Sequence, residues 1–231
     1  MNAPQRSDPM AASTPDRPIR VKICGLRSPE IVAVAAEAGA AYVGFVFYPP
    51  SPRALDAAAA REAAMAAPPS VQKVGLFVDP SDALLEEILA AVPIDILQLH
   101  GAEPPARVAE VKERFGLPVM KAIGVREAGD LAAVERYGPV ADRLMVDAKP
   151  PKDAVLPGGN GLAFDWTLIE GRQWPLPWML AGGLTAENVA EAIKRTGAVE
   201  LDLSSSVESA PGEKDPDLIR AFFEALDEMP A

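Results

Sequence analysis

Short apolar runs punctuate this chain at a regular interval. They are Arg20 to Cys24, Ala41 to Phe47, Gln72 to Val78, Asp95 to His100, Pro118 to Ile123, Arg143 to Asp147, Trp178 to Ala181 and Val199 to Ser204. Their starts lie about 26 residues apart, which is room for a strand, a helix and two loops. The segments between them read as helices. Ser28-Pro29-Glu30 has the order of a cap, a first-turn proline and an acidic first turn, and an Ala-rich stretch follows to Gly39. Ser81 precedes Leu84, Leu85, Ile88 and Leu89, and Pro104-Pro105 precedes Val108 and Val111. Thr185 and Asn188 precede Val189 and Ile193, and Asp217 precedes Ile219, Phe222, Phe223 and Leu226. The stretch from Lys149 to Gly161 breaks the pattern. It is rich in Pro and Gly and has no period, so it reads as a long loop, a feature often tied to function.

Strands that alternate with helices imply a parallel sheet. Eight such units favour an α/β fold of the closed (β/α)8 barrel type, a single domain over residues 19–231. The alternative is an open doubly wound sheet. No G-x-G-x-x-G turn follows the first run, which weakens a dinucleotide-binding version of it.

Composition narrows the function classes. A length of 231 residues with 49% hydrophobic content supports one barrel with a full core. Met1 to Pro18 is polar and lacks an apolar stretch, so it reads as a flexible tail rather than a secretory signal. The longest apolar run, Ala38 to Tyr48, falls short of the about 20 residues a membrane helix needs. These features predict a cytoplasmic protein with no membrane partner. The single cysteine, Cys24, has no partner for a disulfide within the chain. The net charge is −11 and no basic run occurs, so nucleic acid is a poor ligand. The one histidine, His100, excludes a metal site built on several histidines, and nothing supports one built on carboxylates alone. No metal and no cofactor are expected. The oligomeric state is open, with a monomer favoured.

Barrel enzymes work at the C-terminal ends of their strands. There the chain places Cys24-Gly25, Arg53 after the second strand, His100-Gly101, Asp147, Gly182-Gly183, and Asp202 with Ser204-Ser205-Ser206. Alternate strand residues face opposite sides. Val21 and Ile23, Leu144 and Val146, and Leu201 and Leu203 then face the helices. Lys22 and Cys24, Met145 and Asp147, and Asp202 and Ser204 face the barrel axis. The first and eighth strands adjoin in a closed barrel, so Lys22 and Asp202 are placed to pair, and a buried charge needs such a partner. The glycines at 182 and 183, with the hydroxyls and helix start at Ser204 to Ser206, form a candidate phosphate site. A glycine pair also reads as an ordinary turn.

Cys24 and Asp147 fall on opposite sides of the mouth. A thiol of lowered pKa can serve as base and a carboxyl of raised pKa as acid. The plainer alternatives are a small buried cysteine and a loop-capping aspartate. Arg53 is the cation best placed to hold a carboxylate bidentately, against the alternative of a solvated surface arginine. His100 ranks below these, as a hydrogen-bonded structural histidine.

Together these strand ends resemble the phosphoribosylanthranilate isomerases. The resemblance rests on Val21-Lys22-Ile23-Cys24-Gly25, Gly44 to Pro49 with Ser51-Pro52-Arg53, Gln98-Leu99-His100-Gly101 and Val146-Asp147-Ala148-Lys149. It continues through Gly158-Gly159, Phe164-Asp165-Trp166, Ala181-Gly182-Gly183-Leu184 with Glu187-Asn188-Val189, and Asp202 to Glu208. It implies a (β/α)8 barrel that performs an Amadori rearrangement in tryptophan biosynthesis. The substrate would be N-(5-phosphoribosyl)anthranilate, with Asp147 as general acid, Cys24 as general base and Arg53 on the anthranilate carboxylate. His100, Asp202, Gly182, Gly183 and Ser204 to Ser206 would complete the substrate site, with the last two loops gripping phosphate.

One position departs from the family pattern. Ser206 stands where the family usually has glycine. If the backbone there needs a positive φ, serine costs about 1 kcal/mol; if not, its hydroxyl adds a donor to phosphate. Rival readings are a sugar-phosphate epimerase, an indole-glycerol-phosphate synthase, or a barrel that binds a phosphorylated metabolite without turnover. The single histidine argues against a metal-dependent epimerase. The synthase's Lys/Glu pattern is missing, and the presence of both Cys24 and Asp147 argues against a dead barrel.

Overall fold

A computed structural model describes residues 19–149, 158, 161 and 163–229. The expected tail, residues 1–18, and most of the 149–161 loop lie outside them. The chain runs β1 (Arg20–Cys24), α1 (Pro29–Glu37), β2 (Tyr42–Val46), α2 (Ala57–Met65), β3 (Gln72–Phe77), α3 (Asp82–Ala91), β4 (Ile96–Leu99) and α4 (Pro105–Phe115). It continues β5 (Val119–Val125), α5 (Ala132–Tyr137), β6 (Arg143–Ala148), β7 (Trp178–Leu180), α6 (Val189–Thr196), β8 (Glu200–Leu203) and α7 (Pro216–Asp227). The eight strands pair in chain order, all parallel, and β8 closes on β1. The closed barrel is the predicted one, and each strand lies within two residues of its expected ends.

Strand alternation builds two cores. Outward residues such as Val21, Ile23, Leu144, Val146, Leu201 and Leu203 pack under the helices. Inward residues Tyr42, Val74, Ile96, Met120, Met145 and Met179 fill the barrel axis. The parity read from the sequence is the parity observed.

The helices start and stop for local reasons. Ser81 Oγ accepts from Leu84 N at the start of α3, and Gly116 at φ +65° ends α4. Ser28 precedes α1 without a side-chain capping bond, contrary to its expected role; Pro29 supplies the start instead. The cap of α7 is Asp215, which accepts from Asp217 N and Leu218 N. Helices α2 and α5 leave little trace in the sequence, because alanine blurs the one's period and six residues are too few to show the other's. Between β6 and β7 the described residues form only a single 3-10 turn, Trp166–Leu168. A short antiparallel hairpin follows β8, formed by β9 (Glu208–Ala210) and β10 (Glu213–Lys214). No helix among the described residues is long and apolar enough to cross a membrane.

Candidate active site

The C-terminal mouth holds two adjoining cavities. One is lined by Cys24, Arg53, His100, Asp147, Asp202 and Ser204, with Val46, Tyr48, Leu76 and Val78 as an apolar wall. The other is lined by Gly182, Gly183 and Ser204 to Ser206. Asp147, Asp202 and Ser204 border both. Every sequence-predicted site residue therefore lies at this mouth.

Strand ends put the chemistry there. Cys24 closes β1 and is buried, and Lys22, two residues earlier, points the same way. Lys22 Nζ donates to Asp202 Oδ1 at 2.7 Å, across the register pair Lys22–Asp202 of β1 and β8. This is the pairing expected from strand adjacency. Burial works against the Lys22 charge, but Asp202 and Cys24 together hold its pKa above the usual value. Burial pushes the Cys24 thiol up, with Lys22 the largest opposing influence. A thiol with a resting pKa below its ordinary value, the condition under which Cys24 was read as a base, is thus not what burial produces.

Asp147 sits near the end of β6. Its Oδ1 accepts from Ala148 N at 2.8 Å and its Oδ2 lies 3.3 Å from His100 Nε2. Gln98 Nε2 lies 2.9 Å from His100 Nδ1; when it donates there, a neutral ring carries its hydrogen on Nε2, facing Asp147. His100 is held in turn by the loop after β4. Glu103 accepts from Gly101 N, and the buried Lys121 donates to Glu103 Oε2 at 2.8 Å and to the Leu99 and Gly101 carbonyls. The histidine ranked lowest in the sequence thus directly contacts the candidate acid. Gly158 lies over this pair, where a Cβ would meet His100 Nε2 at 2.5 Å and Asp147 Oδ2 at 2.9 Å. Only glycine lets the backbone come so close.

Arg53 is buried in the cavity wall, not solvated on the surface. Its Nε and Nη2 donate to Glu208 at 2.7 and 2.8 Å, a bidentate pair. Lys214, also buried, donates to the same carboxylate and to Ser204 O at 3.0 Å. Burial works against the Glu208 charge, but Arg53 and Lys214 hold its pKa below the usual carboxylate range. The sequence points Arg53 at a substrate carboxylate; the structure adds that it already shares its charge with Glu208.

The second cavity has a backbone floor. Gly182 and Gly183 take φ of +90° and +62°, and Asn188 ties their turn by donating to Gly183 O and accepting from Thr185 N. Asn188 spends its side chain here and leaves α6 uncapped. Ser204 to Ser206 form the facing wall. Ser206 is not in the left-handed region; among the described residues the one non-glycine there is Asp79. The conditional cost of serine at this position therefore does not arise.

Comparison with known proteins settles the family. The profile for N-(5'-phosphoribosyl)anthranilate (PRA) isomerase matches residues 21–225. The chain belongs to the PRA isomerase family. It is 62% identical over 206 residues to the N-(5'-phosphoribosyl)anthranilate isomerase of Cereibacter sphaeroides, covering 89% of this chain and 97% of that one. It is 64% identical over 205 residues to the Paracoccus denitrificans isomerase, covering 89% and 95%. The fold superposes on the crystal structure of the Thermotoga maritima phosphoribosyl anthranilate isomerase with a TM-score of 0.81, at 35% identity, covering 91% of this chain and all of that one. A PRA isomerase structure in complex with reduced 1-(o-carboxyphenylamino)-1-deoxyribulose 5-phosphate matches at a TM-score of 0.79 and 33% identity, covering 91% and 100%.

Several residues of this family site carried no role in the sequence reading. Glu208 was visible only as part of a motif, although a buried arginine demands a carboxylate and Glu208 lies beside the barrel-end serines. Glu103 and Lys121 are distant in sequence and gave no local signal. Lys214 lies on a hairpin that no pattern announced.

Proposed function

We propose that this chain isomerises N-(5-phosphoribosyl)anthranilate to 1-(2-carboxyphenylamino)-1-deoxyribulose 5-phosphate with Asp147 as general acid and Cys24 as general base. This is the family's step in tryptophan biosynthesis. The observation that carries the residue roles is the one cavity that holds both groups beside a cradle of glycine backbone and serine hydroxyls.

The steps follow from these positions. Asp147 gives its proton to the furanose ring oxygen, the C1′–O bond breaks, and the anilino nitrogen lone pair forms the iminium. The thiolate of Cys24 takes the proton from C2′, and the C–H electron pair forms the C1′–C2′ double bond and neutralises the iminium. The resulting enolamine tautomerises to the ketone. The iminium is the electron sink, so the chain's own acid and base suffice for proton transfer. His100 Nε2–H faces the carboxylate that Asp147 becomes. Arg53 holds the anthranilate carboxylate while Glu208 keeps the guanidinium in place. The apolar wall of Val46, Leu76 and Val78 receives the ring, and the two glycines and three serines receive the phosphate.

Turnover of freshly prepared phosphoribosylanthranilate, with product detected directly, tests this assignment. Wild-type protein turns over, and Cys24→Ala and Asp147→Asn each lose about 10²–10⁴-fold in kcat. An active Cys24→Ala would keep the reaction and require another base. A folded wild type that binds phosphate compounds without turnover would move the protein to a binding role.

A further inference from the structure

Cys24 can act as base only as a thiolate, and burial opposes one. The structure around its sulfur carries an answer in geometry. Cys24 pairs in register with Gly44 on β2. A Cβ on Gly44 would lie 3.1 Å from Cys24 Cα, from Cys24 Sγ and from Lys22 Cε alike. The sulfur and the end of the lysine side chain therefore both border the space that a side chain at Gly44 would fill. The ammonium beyond that Cε is fully buried and fixed 2.7 Å from Asp202 Oδ1.

We infer that Lys22 is a positioning residue that sets the charge of the Cys24 sulfur, anchored by Asp202 and admitted by the missing side chain of Gly44. The inference deepens the acid–base reading above and rests on it. The charged groups around the sulfur are few. Lys22 comes from β1, Asp202 from β8 and Lys214 from β10; β2 presents Gly44 without charge. Across the cavity stand Arg53, His100 and Asp147. Asp202 opposes a thiolate, whereas the two lysines favour it, Lys22 more strongly. Each lysine has its own carboxylate, Lys22 that of Asp202 and Lys214 that of Glu208. Lys22 thus supplies the main counter-charge. Asp202 keeps the lysine protonated, so it favours the thiolate through Lys22 while opposing it directly, and Lys22 outweighs it.

The test uses the fact that Cys24 is the only cysteine. Thiolate ultraviolet absorbance, followed against pH with Cys24→Ala as blank, reads its titration without a reagent having to enter the cavity. In Lys22→Met the midpoint rises by about one pH unit or more, because a buried thiol loses its nearest cation. The acidic limb of the kcat/KM profile moves up with it, and kcat at neutral pH falls about tenfold while KM changes less than about twofold. Lys22→Met leaves Asp202 buried without a partner and could unfold the protein. The double variant Lys22→Met/Asp202→Asn removes both charges, and its midpoint is also raised. A folded variant of either kind with an unmoved midpoint and an unmoved acidic limb overturns the inference. If Cys24→Ala is inactive in that case, the acid–base reading stands without it. If Cys24→Ala keeps full turnover, the base assignment fails, and the titration still decides on its own whether Lys22 governs the sulfur.

Discussion

At the foot of the barrel, Arg20, Tyr42, Arg143 and Glu200 meet; they are the first residues of β1, β2, β6 and β8. At the mouth, near the other ends of β1, β6 and β8, stand Cys24, Asp147 and Asp202. The foot is a network of the chain's own side chains. Tyr42 Oη donates to Glu200 at 2.9 Å, Arg143 pairs with the same carboxylate, and Arg20 lies 3.6 Å from it and over the Tyr42 ring. The mouth also pairs its charges, yet its groups border two cavities. Both ends bury polar groups in the same strands. At the foot the partners are the chain's own and complete the closure of the barrel. At the mouth Asp202, Arg53, His100 and Asp147 each border a cavity. The difference separates residues that hold the fold from residues that act on a ligand.

Glu200→Gln breaks this contrast most forcefully. It leaves Arg143 and Arg20 at the foot without their counter-charge. Removing one partner of a largely buried pair costs about 3 kcal/mol. Urea denaturation should show that loss, while kcat/KM of the folded fraction stays within about twofold of wild type. A large kcat loss in a protein of normal stability would show that the foot communicates with the mouth and would dissolve the distinction.

Tyr42 sharpens it through pH. Burial, aided by the Glu200 charge and against the nearby arginines, pushes its phenol up to about 12. In the unfolded chain the phenol ionises near its ordinary value of about 10. Between these values the unfolded state holds fewer protons than the folded one, so stability falls as pH rises. The Tyr42 contribution is complete below about pH 10 and is lost through about pH 12. Tyr42→Phe should start about 1 kcal/mol lower, for the lost hydrogen bond, and then fall less steeply with alkali than wild type. Parallel curves for the two proteins would mean that Tyr42 does not govern the alkaline limb.

The same contrast explains what could be read from residues alone. Periodicity gave the strands and the barrel, because inward and outward faces alternate in every strand and burial enforces the register. Cys24, Asp147 and the glycine turn were legible because they sit at strand ends, where position in the unit already implies the mouth. Lys22 with Asp202 was legible from the closure of β8 on β1. Partners that do not sit on adjoining strands were not. Glu208 with Arg53, Glu103 with Lys121, and Tyr42 with Glu200 are joined by 155, 18 and 158 residues of chain. Nothing local marks either member of such a pair. The contact of His100 with Asp147 was hidden in the same way, since it joins the ends of β4 and β6 across the mouth. Burial of the Cys24 thiol could not be weighed without the surroundings that oppose it.

The smallest effect is expected at Ser206, where the mouth can be altered without touching its acid, base or buried pairs. The backbone there avoids the left-handed region, so glycine would relieve no strain. The side chain borders the cavity with the glycine turn, so the hydroxyl is the part that a substrate phosphate would notice. Ser206→Gly should therefore raise KM by a factor of about 2 to 10, the loss of roughly one hydrogen bond, with kcat nearly unchanged. Inorganic phosphate as a competitive inhibitor should weaken by a similar factor. The denaturation midpoint should barely move, in contrast to Glu200→Gln, since no buried partner is orphaned. A change in kcat alone would mean that Ser206 acts on the transition state rather than on the bound phosphate. The serine wall would then belong with the chemistry of Cys24 and Asp147, not with a ground-state grip.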